Sequence, residues 1–158
     1  MMLIEIINEE KMKSFGKSVG LLLHGGEVIE LIGDVGSGKT TFVKGLAVGL
    51  GIEDNVQSPS FTISRVYSGR NDITLAHYDF YRLNDAGIMA NELCETIDDP
   101  KTITIIEWGG IANSVLPIDR LSIKVTSPTE NSRKLIISSG GEVSDKIAGK
   151  IDDFTFKY

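Results

Sequence analysis

The sequence has little cysteine and no long apolar run, and both shortages exclude classes of protein. Cys94 is the single cysteine among 158 residues, which excludes an internal disulfide and a cysteine-rich metal site. No apolar run approaches the roughly 20 residues that a membrane-spanning helix needs. The N-terminus lacks the basic region and apolar core of a signal peptide. We therefore expect a soluble, cytoplasmic protein that does not contact a membrane.

Positive charge is also scarce. The chain has 16 lysines and arginines against 22 aspartates and glutamates, which gives a net charge of −6 at pH 7. A surface of this sign does not attract the polyphosphate backbone of a nucleic acid, so we expect any contact with nucleic acid to be indirect. The length suits one domain, and we predict a single domain over 1–158, with a core of about 3–138 and a tail over 139–158.

One glycine-rich stretch carries most of the functional information. The sequence GDVGSGKT, which ends at Thr40, matches the phosphate-binding loop pattern G-x-x-x-x-G-K-S/T in full. Glycines let the backbone bend until successive N–H groups surround an anion, and the positive end of the following helix adds to that field. We therefore expect Gly36, Ser37 and Gly38 to contact nucleotide phosphates. Lys39 would reach the β- and γ-phosphates, and the Thr40 hydroxyl would bind Mg²⁺.

The surroundings of this loop are those that the motif requires. An apolar strand over 28–32 precedes the loop, and a helix with one apolar face follows it. Gly45 and Gly49 lie inside that helix, where each costs about 1 kcal/mol relative to alanine, and we expect a close approach to the sheet to compensate. No Asn-Lys-x-Asp motif for reading guanine follows, which favours ATP as the nucleotide.

The remaining patterns predict an α/β fold. We expect the sheet to be mixed and partly antiparallel, flanked by helices, because two hairpins follow from the turns after Tyr67 and Thr126. A helix is expected from Asn8, a second after the phosphate loop, and two more over about 85–94 and 144–151. The segment Phe154-Thr155-Phe156 is expected to pack back or to pair with an edge strand. The predicted strands are 3–7, 28–32, 61–67, 73–79, 102–107, 120–126 and 133–138.

Two acids complete the predicted site. A P-loop enzyme needs an acid near Mg²⁺, and Asp79 and Glu107 each end an apolar strand. Either could hold the metal while the other orients the attacking water, and the pattern leaves this division open. A small-molecule kinase would need an arginine-rich lid, which is not visible. A nucleotide-dependent binding module with negligible hydrolysis is a further alternative.

Four motifs together resemble those of the TsaE family. They are GDVGSGKTTFVKGLAVGLG, SPSFTI, HYDFYRL and IIEW, in this order, and the resemblance runs from about Glu9 to Leu135. The family consists of bacterial P-loop ATPases that support threonylcarbamoyladenosine formation in tRNA. The resemblance implies a Mg²⁺-dependent ATPase that is slow alone and stimulated by partners. It would use ATP, with ADP as product, to reset a complex of the TsaD-type threonylcarbamoyl transferase and TsaB, which would hold the tRNA.

The resemblance also implies roles for individual residues. Lys39, Asp79 and Glu107 match catalytic positions, and Thr40 with Glu107 matches the ligands of Mg²⁺. Trp108 matches a tryptophan beside the nucleotide. The other matched nucleotide contacts are Thr41, near the α-phosphate, Glu9, near the adenine, and Arg133, in the late hairpin. Ser58, Ser60 and Thr62 match a mobile segment of the family, which resembles a nucleotide-sensing switch.

Overall fold

The computed structural model describes residues 1–155, and strands and helices alternate along most of this part of the chain. The strands are β1 (Met2–Ile6), β2 (Val28–Ile32), β3 (Ser64–Ser68), β4 (Thr74–Asp79), β5 (Thr102–Glu107), β6 (Leu121–Thr126) and β7 (Arg133–Ser139). The helices of more than one turn are α1 (Glu9–Leu22), α2 (Lys39–Gly49), α3 (Met89–Asp98) and α4 (Glu142–Thr155). None of the helices within this range is long and apolar enough to cross a lipid bilayer.

All the described strands belong to one mixed sheet, in the order β1-β7-β6-β2-β5-β4-β3. The pairs β2–β5, β2–β6 and β4–β5 are parallel, whereas β3–β4, β6–β7 and β1–β7 are antiparallel. The mixed α/β fold and both predicted hairpins are therefore confirmed. Because β1 runs in the same direction as β6, the carboxyl ends of β1, β2, β4, β5 and β6 lie at one edge of the sheet. The starts of β3 and β7 lie at the same edge.

Helices cover both faces of the sheet. The larger apolar cluster packs α1, α2 and α4 against one face, with Leu75 and Ile105 from the central strands. The smaller cluster lies on the other face and includes Tyr78, Ile106 and, from α3, Leu93. Successive strand residues alternate between faces, so His77, Asp79 and Glu107 lie on the face that α2 covers.

The contact between α1 and α2 corrects the prediction for the helix glycines. A Cβ atom at Gly45 would overlap the carbonyl oxygen of Lys13, and one at Gly49 would overlap that of Lys17. Gly16 and Gly20 of α1 lie as close to the backbone of α2. The close approach that compensates for the glycines is therefore to helix α1, and not to the sheet.

Two predicted elements have the wrong bounds, and the C-terminal helix is longer than expected. The strand predicted over 61–67 begins at Ser64, and the helix predicted over 85–94 spans Met89–Asp98. Helix α4 buries Ile147 and Ile151 in the larger cluster. The ring of Phe154 lies 6.0 Å from that of Phe15, as expected for a tail that packs back, while Phe156 lies outside the described residues.

Candidate active site at the carboxyl edge of the sheet

The phosphate-binding loop leaves β2 at the carboxyl edge of the sheet and leads directly into α2. Gly36 and Gly38 have φ angles of 79° and 106°, a region that glycine enters without strain. Gly38 is the N-cap residue of α2, and no described side chain caps this helix end. The first N–H groups of α2 are therefore not used by a capping side chain, as an anion site at a helix N-terminus requires.

Lys39 is almost fully buried and spans the loop. Its Nζ donates to the carbonyl oxygens of Gly33, at 2.5 Å, and Asp34, at 2.9 Å. The same atom lies 5.5 Å from the centre of the Trp108 ring. The ammonium group is thus held at the loop by uncharged carbonyl acceptors. A charged phosphate group, which accepts a stronger hydrogen bond, could replace them.

The two acids that follow apolar strands lie side by side. Asp79 and Glu107 are register partners at the ends of the parallel strands β4 and β5, and their exposed fractions are 4% and 3%. Their surroundings differ. Oδ1 of Asp79 accepts from the N–H of Tyr81 at 2.9 Å, and Oδ2 accepts from the Ser60 hydroxyl at 3.1 Å. Oε1 of Glu107 lies 3.2 Å from Nε2 of His77.

The segment before β3 reaches Asp79 through a short chain of hydroxyl groups. The Oγ atoms of Ser58 and Ser60 are 2.8 Å apart, and Ser60 then donates to Asp79. Ile63 has a φ angle of 70°, which is uncommon and costly for a β-branched residue. The Ile63 carbonyl accepts from the N–H of Asp79 at 2.8 Å, so the segment is attached to β4 by backbone as well as by side chain.

The opposite wall of the site comes from the β6–β7 turn and the start of α1. The guanidinium of Arg133 donates to the carbonyl oxygens of Glu130, at 3.0 Å, and Ser132, at 2.9 Å. A Cβ atom added at Gly38 would lie 3.2 Å from the Nε atom of Arg133. Arg133 therefore lies directly beside the phosphate-binding loop, although it is almost 100 residues away in the sequence.

Nearly all the predicted site residues line one cleft of about 370 Å³. Two do not line it. Ser37 lies behind the loop with 4% exposure, and its Oγ has no hydrogen-bond partner among residues 1–155. Thr62 is exposed outside the cleft. The predicted residues that the cleft brings together are Glu9, Gly36, Gly38, Lys39, Thr40, Thr41, Ser58, Ser60, Asp79, Glu107, Trp108 and Arg133.

Five further residues line the cleft and were not predicted as site residues. Tyr81 is 52% exposed and its ring lies 5.0 Å from that of Trp108. Its position two residues after Asp79 was the available signal. Met12 is a buried residue of α1. The others, Val35, Glu130 and Asn131, lie in the loop and in the β6–β7 turn.

Comparisons with known proteins agree on one family. The model of the family described as threonylcarbamoyl adenosine biosynthesis protein TsaE matches residues 6–135. The tRNA threonylcarbamoyladenosine biosynthesis protein TsaE of Borreliella burgdorferi is 42% identical over an alignment of 123 residues that covers 76% of this chain and 87% of that protein. The protein of the same name from Bacillus subtilis is 34% identical over 138 residues, 85% of this chain and 84% of that protein.

A solved structure extends the similarity to the fold. The crystal structure of Bacillus subtilis YdiB superposes with a TM-score of 0.80 and 28% sequence identity, and the match covers 98% of this chain and 95% of that one. TsaE of Treponema pallidum is 37% identical over 124 residues, 78% of this chain and 90% of that protein. The family model spans most of the chain, and the relatives match over most of their own length. The chain therefore belongs to the TsaE family.

Proposed function

We propose that this chain is a Mg²⁺-dependent P-loop ATPase that acts in the threonylcarbamoyladenosine modification of tRNA. The observation that carries the proposal is the convergence of the phosphate-binding loop with Asp79 and Glu107 in one cleft. The family and the printed names of its relatives support the link to tRNA modification. We place the activity in the cytoplasm, where tRNA is modified.

The nucleotide would enter the cleft with its phosphates on the loop. The uncapped N–H groups at the start of α2 and the backbone of Gly36 and Gly38 would bind the β- and γ-phosphates. The Lys39 ammonium would exchange its loop carbonyls for phosphate oxygens, and Thr41 would lie near the α-phosphate. Glu9 and Arg133 line the opposite wall, where Glu9 would lie near the adenine and Arg133, beside Gly38, would contact the nucleotide.

Residues of this cleft also fit a magnesium ion. Mg²⁺ prefers oxygen ligands, and it is often held by one or two protein groups together with substrate phosphates. The Thr40 hydroxyl and the Glu107 carboxylate both line the cleft and would be its protein ligands, directly or through water. When bound, the ion would neutralise charge that develops on the phosphate oxygens.

Hydrolysis would proceed by in-line attack of water on the γ-phosphate. Lys39 and the loop N–H groups would stabilise the charge of the transition state, since such preorganised donors act strongly in a buried site. Both oxygens of Asp79 already accept hydrogen bonds from Tyr81 and Ser60. We therefore propose that Asp79 holds the switch-like segment 58–62 against the cleft and orients the attacking water through that segment.

The partners would be a TsaD-type threonylcarbamoyl transferase and TsaB, with ATP turnover resetting their complex. Tyr81 and Trp108 are 52% and 37% exposed at the cleft, so this side of the nucleotide site is open for a partner to complete. We accordingly expect slow hydrolysis by the chain alone and faster hydrolysis with the pair. The net charge of −6 suits protein partners that hold the tRNA themselves.

The test is ATP hydrolysis by the purified chain, alone and with its cognate TsaB–TsaD pair. We expect the pair to stimulate hydrolysis, and Glu107→Gln to lower it by about 100-fold while ATP still binds. Lys39→Ala should weaken ATP binding by about tenfold or more. Unchanged turnover in Lys39→Ala would reject the P-loop assignment. ATP binding without hydrolysis under either condition would favour a binding module, and absence of both stimulation and complex formation would reject the tRNA-modification role.

A further inference from the structure

His77 is a fully buried polar residue to which the proposed mechanism gives no task. It lies on β4, between Arg65 of β3 and Ile105 of β5, and its exposed fraction is 0%. Nε2 lies 3.2 Å from Oε1 of Glu107, whereas Nδ1 has no hydrogen-bond partner among residues 1–155. Burying a polar ring costs free energy unless its polar atoms are bonded. The one polar interaction of the ring with the described residues is therefore with Glu107.

Among the described residues, the Glu107 carboxylate has fewer hydrogen-bond partners than the Asp79 carboxylate. Within the described chain, His77 is the single hydrogen-bond partner of the Glu107 carboxylate. Asp79 has a partner at each of its carboxylate oxygens. Among residues 1–155, Oε1 of Glu107 therefore has a hydrogen-bond partner and Oε2 has none. A carboxylate in this arrangement is oriented from one side and can bind a cation from the other.

The sheet places the imidazole behind the carboxylate. His77 precedes Asp79 by two residues on the same face of β4, and Asp79 is the register partner of Glu107. Glu107 and Asp79 line the cleft, whereas His77 is buried beneath them. The ring can therefore orient Glu107 without itself reaching a nucleotide or a cation, and no lining residue has to move for it to do so.

We propose that His77 is a positioning residue, which donates its Nε2–H to Oε1 of Glu107 and thereby holds Oε2 for a divalent cation bound together with the nucleotide. The proposal rests on the proposed function, since it assigns a partner to the cation ligand of that site. Outer-shell partners of metal ligands typically contribute about 10- to 100-fold to metal affinity.

The test compares His77→Leu, which cannot donate, with His77→Gln, whose side-chain amide can. The single tryptophan, Trp108, lines the cleft, so we would follow ADP binding by its fluorescence. We would measure the ADP affinity without metal and then the Mg²⁺ affinity of the ADP-bound protein. We expect His77→Leu to weaken Mg²⁺ binding by about tenfold or more while the metal-free ADP affinity stays unchanged. His77→Gln should restore most of the Mg²⁺ affinity.

Thr104→Val is the matched control. Thr104 is fully buried in β5 and its hydroxyl also lacks a hydrogen-bond partner among the described residues, but it lies on the opposite face from Glu107. This variant should bind ADP and Mg²⁺ as the unaltered chain does. Wild-type Mg²⁺ affinity in folded His77→Leu would overturn the proposal. Equal weakening of metal-free ADP binding and of Mg²⁺ binding would also overturn it, because that result indicates a purely structural role.

A measurement on the unaltered chain covers the case in which His77→Leu does not fold. The chain has two histidines, and His24 is exposed, so a slowly exchanging imidazole N–H in the ¹⁵N spectrum belongs to His77. We expect this signal to shift when Mg²⁺ is added to the ADP complex, and no response would overturn the proposal. If the unaltered chain binds no ADP, the proposed function itself fails. If Glu107→Gln loses Mg²⁺ affinity but His77→Leu does not, only the positioning role fails.

Discussion

At the scale of single residues, two adjacent carboxylates are distinguished by their hydrogen bonds. The strand pattern left open whether Asp79 or Glu107 holds the cation, because both end apolar strands, and only the family resemblance implied Glu107. The structure gives Asp79 a donor at each oxygen, from Ser60 and from the backbone of Tyr81. In the described part of the chain, Glu107 has one donor, His77. This difference supports our proposal that Glu107 holds the cation and that Asp79 holds the switch-like segment, and it depends on contacts between residues far apart in the chain.

The Ser60 hydroxyl is the most direct probe of the Asp79 role. Ser60→Ala removes the donor to Oδ2 of Asp79, which lies 3.1 Å away. A hydrogen bond to a charged group contributes about 1.5–3 kcal/mol, and about 1.4 kcal/mol corresponds to tenfold in rate. We expect the partner-stimulated rate of phosphate release to fall by about tenfold or more, with ATP affinity nearly unchanged.

Thr62→Ala is the control for this prediction. Thr62 belongs to the same predicted switch-like set, but its side chain is exposed outside the cleft. Its removal should leave phosphate release within about twofold of the unaltered rate, as is usual for a surface substitution. Equal losses in the two variants, or no loss in Ser60→Ala, would contradict the role given to the Ser60–Asp79 contact.

At the scale of elements, the contact between α1 and α2 depends on glycines from both helices. Gly45→Ala would drive a Cβ into the carbonyl oxygen of Lys13, and overpacking of this kind costs about 1–3 kcal/mol. Gly149 of α4 is exposed with open space around it, so Gly149→Ala should stabilise the chain by about 0.5–1 kcal/mol. Urea unfolding measures both changes, and effects of the same sign would contradict this account of the helix contact.

Helix α4 is capped from a distant loop. The Asp119 carboxylate accepts from the N–H groups of Val143 and Ser144, each at 2.9 Å, and from the Ser144 hydroxyl at 2.6 Å. These hydrogen bonds, led by that of the Ser144 hydroxyl, lower the pKa of Asp119. The contact therefore stabilises the fold above the unfolded-state pKa of about 4, and the stabilisation is lost as the pH falls through the lower folded-state pKa.

Asp119→Ala tests this cap. We expect the free energy of unfolding at pH 7 to fall by about 1 kcal/mol, the usual contribution of a helix cap. The difference from the unaltered chain should shrink as the pH is lowered below about 4, because the carboxyl group is then increasingly protonated in both states. Denaturant unfolding at a series of pH values measures it. A difference that stays constant from neutral to strongly acidic pH would contradict the assigned capping role of the carboxylate.

The bounds of elements were predictable only where the sequence carries a local signal. Asn8 caps α1 with its side chain, and that helix was predicted from its first residue. Helix α3 begins after Ile88, which makes no side-chain cap, so the expected start fell near Asp85 and was wrong. Strand β3 was expected from residue 61, but it begins at Ser64, after the left-handed backbone conformation of Ile63. No pattern in the sequence predicts that conformation.

At the scale of the whole molecule, the direction of the strands explains why distant residues share a cleft. Five strands end at one edge of the sheet, and β3 and β7 begin there. Motifs at strand ends, such as Asp79 and Glu107, could be predicted because each follows its own apolar strand. The presence of Glu130 and Asn131 in the cleft could not be predicted. They lie in the β6–β7 turn, and the order of the strands in the sheet brings this turn to the cleft.

The charge of the molecule leads to a prediction about tRNA. With a net charge of −6, the chain should not bind tRNA on its own, since non-specific binding depends on neutralising phosphates. We expect no saturable change in the fluorescence anisotropy of labelled tRNA up to about 10 μM protein at physiological salt. The proposed partners, TsaB and TsaD, would serve as the positive control. Saturable binding by the isolated chain at submicromolar concentration would contradict an indirect role.

We propose above all that the cleft at the carboxyl edge holds ATP and Mg²⁺, with Thr40 and Glu107 as the protein ligands of the ion. A crystal structure of the chain with ADP, Mg²⁺ and beryllium fluoride tests it most directly. We predict that the phosphates lie on the loop at Gly36–Thr40, that the ion lies about 2.1 Å from the Thr40 hydroxyl, and that Glu107 binds it directly or through one water. A nucleotide outside the cleft, or an ion held by Asp79 without Thr40 and Glu107, would contradict the account.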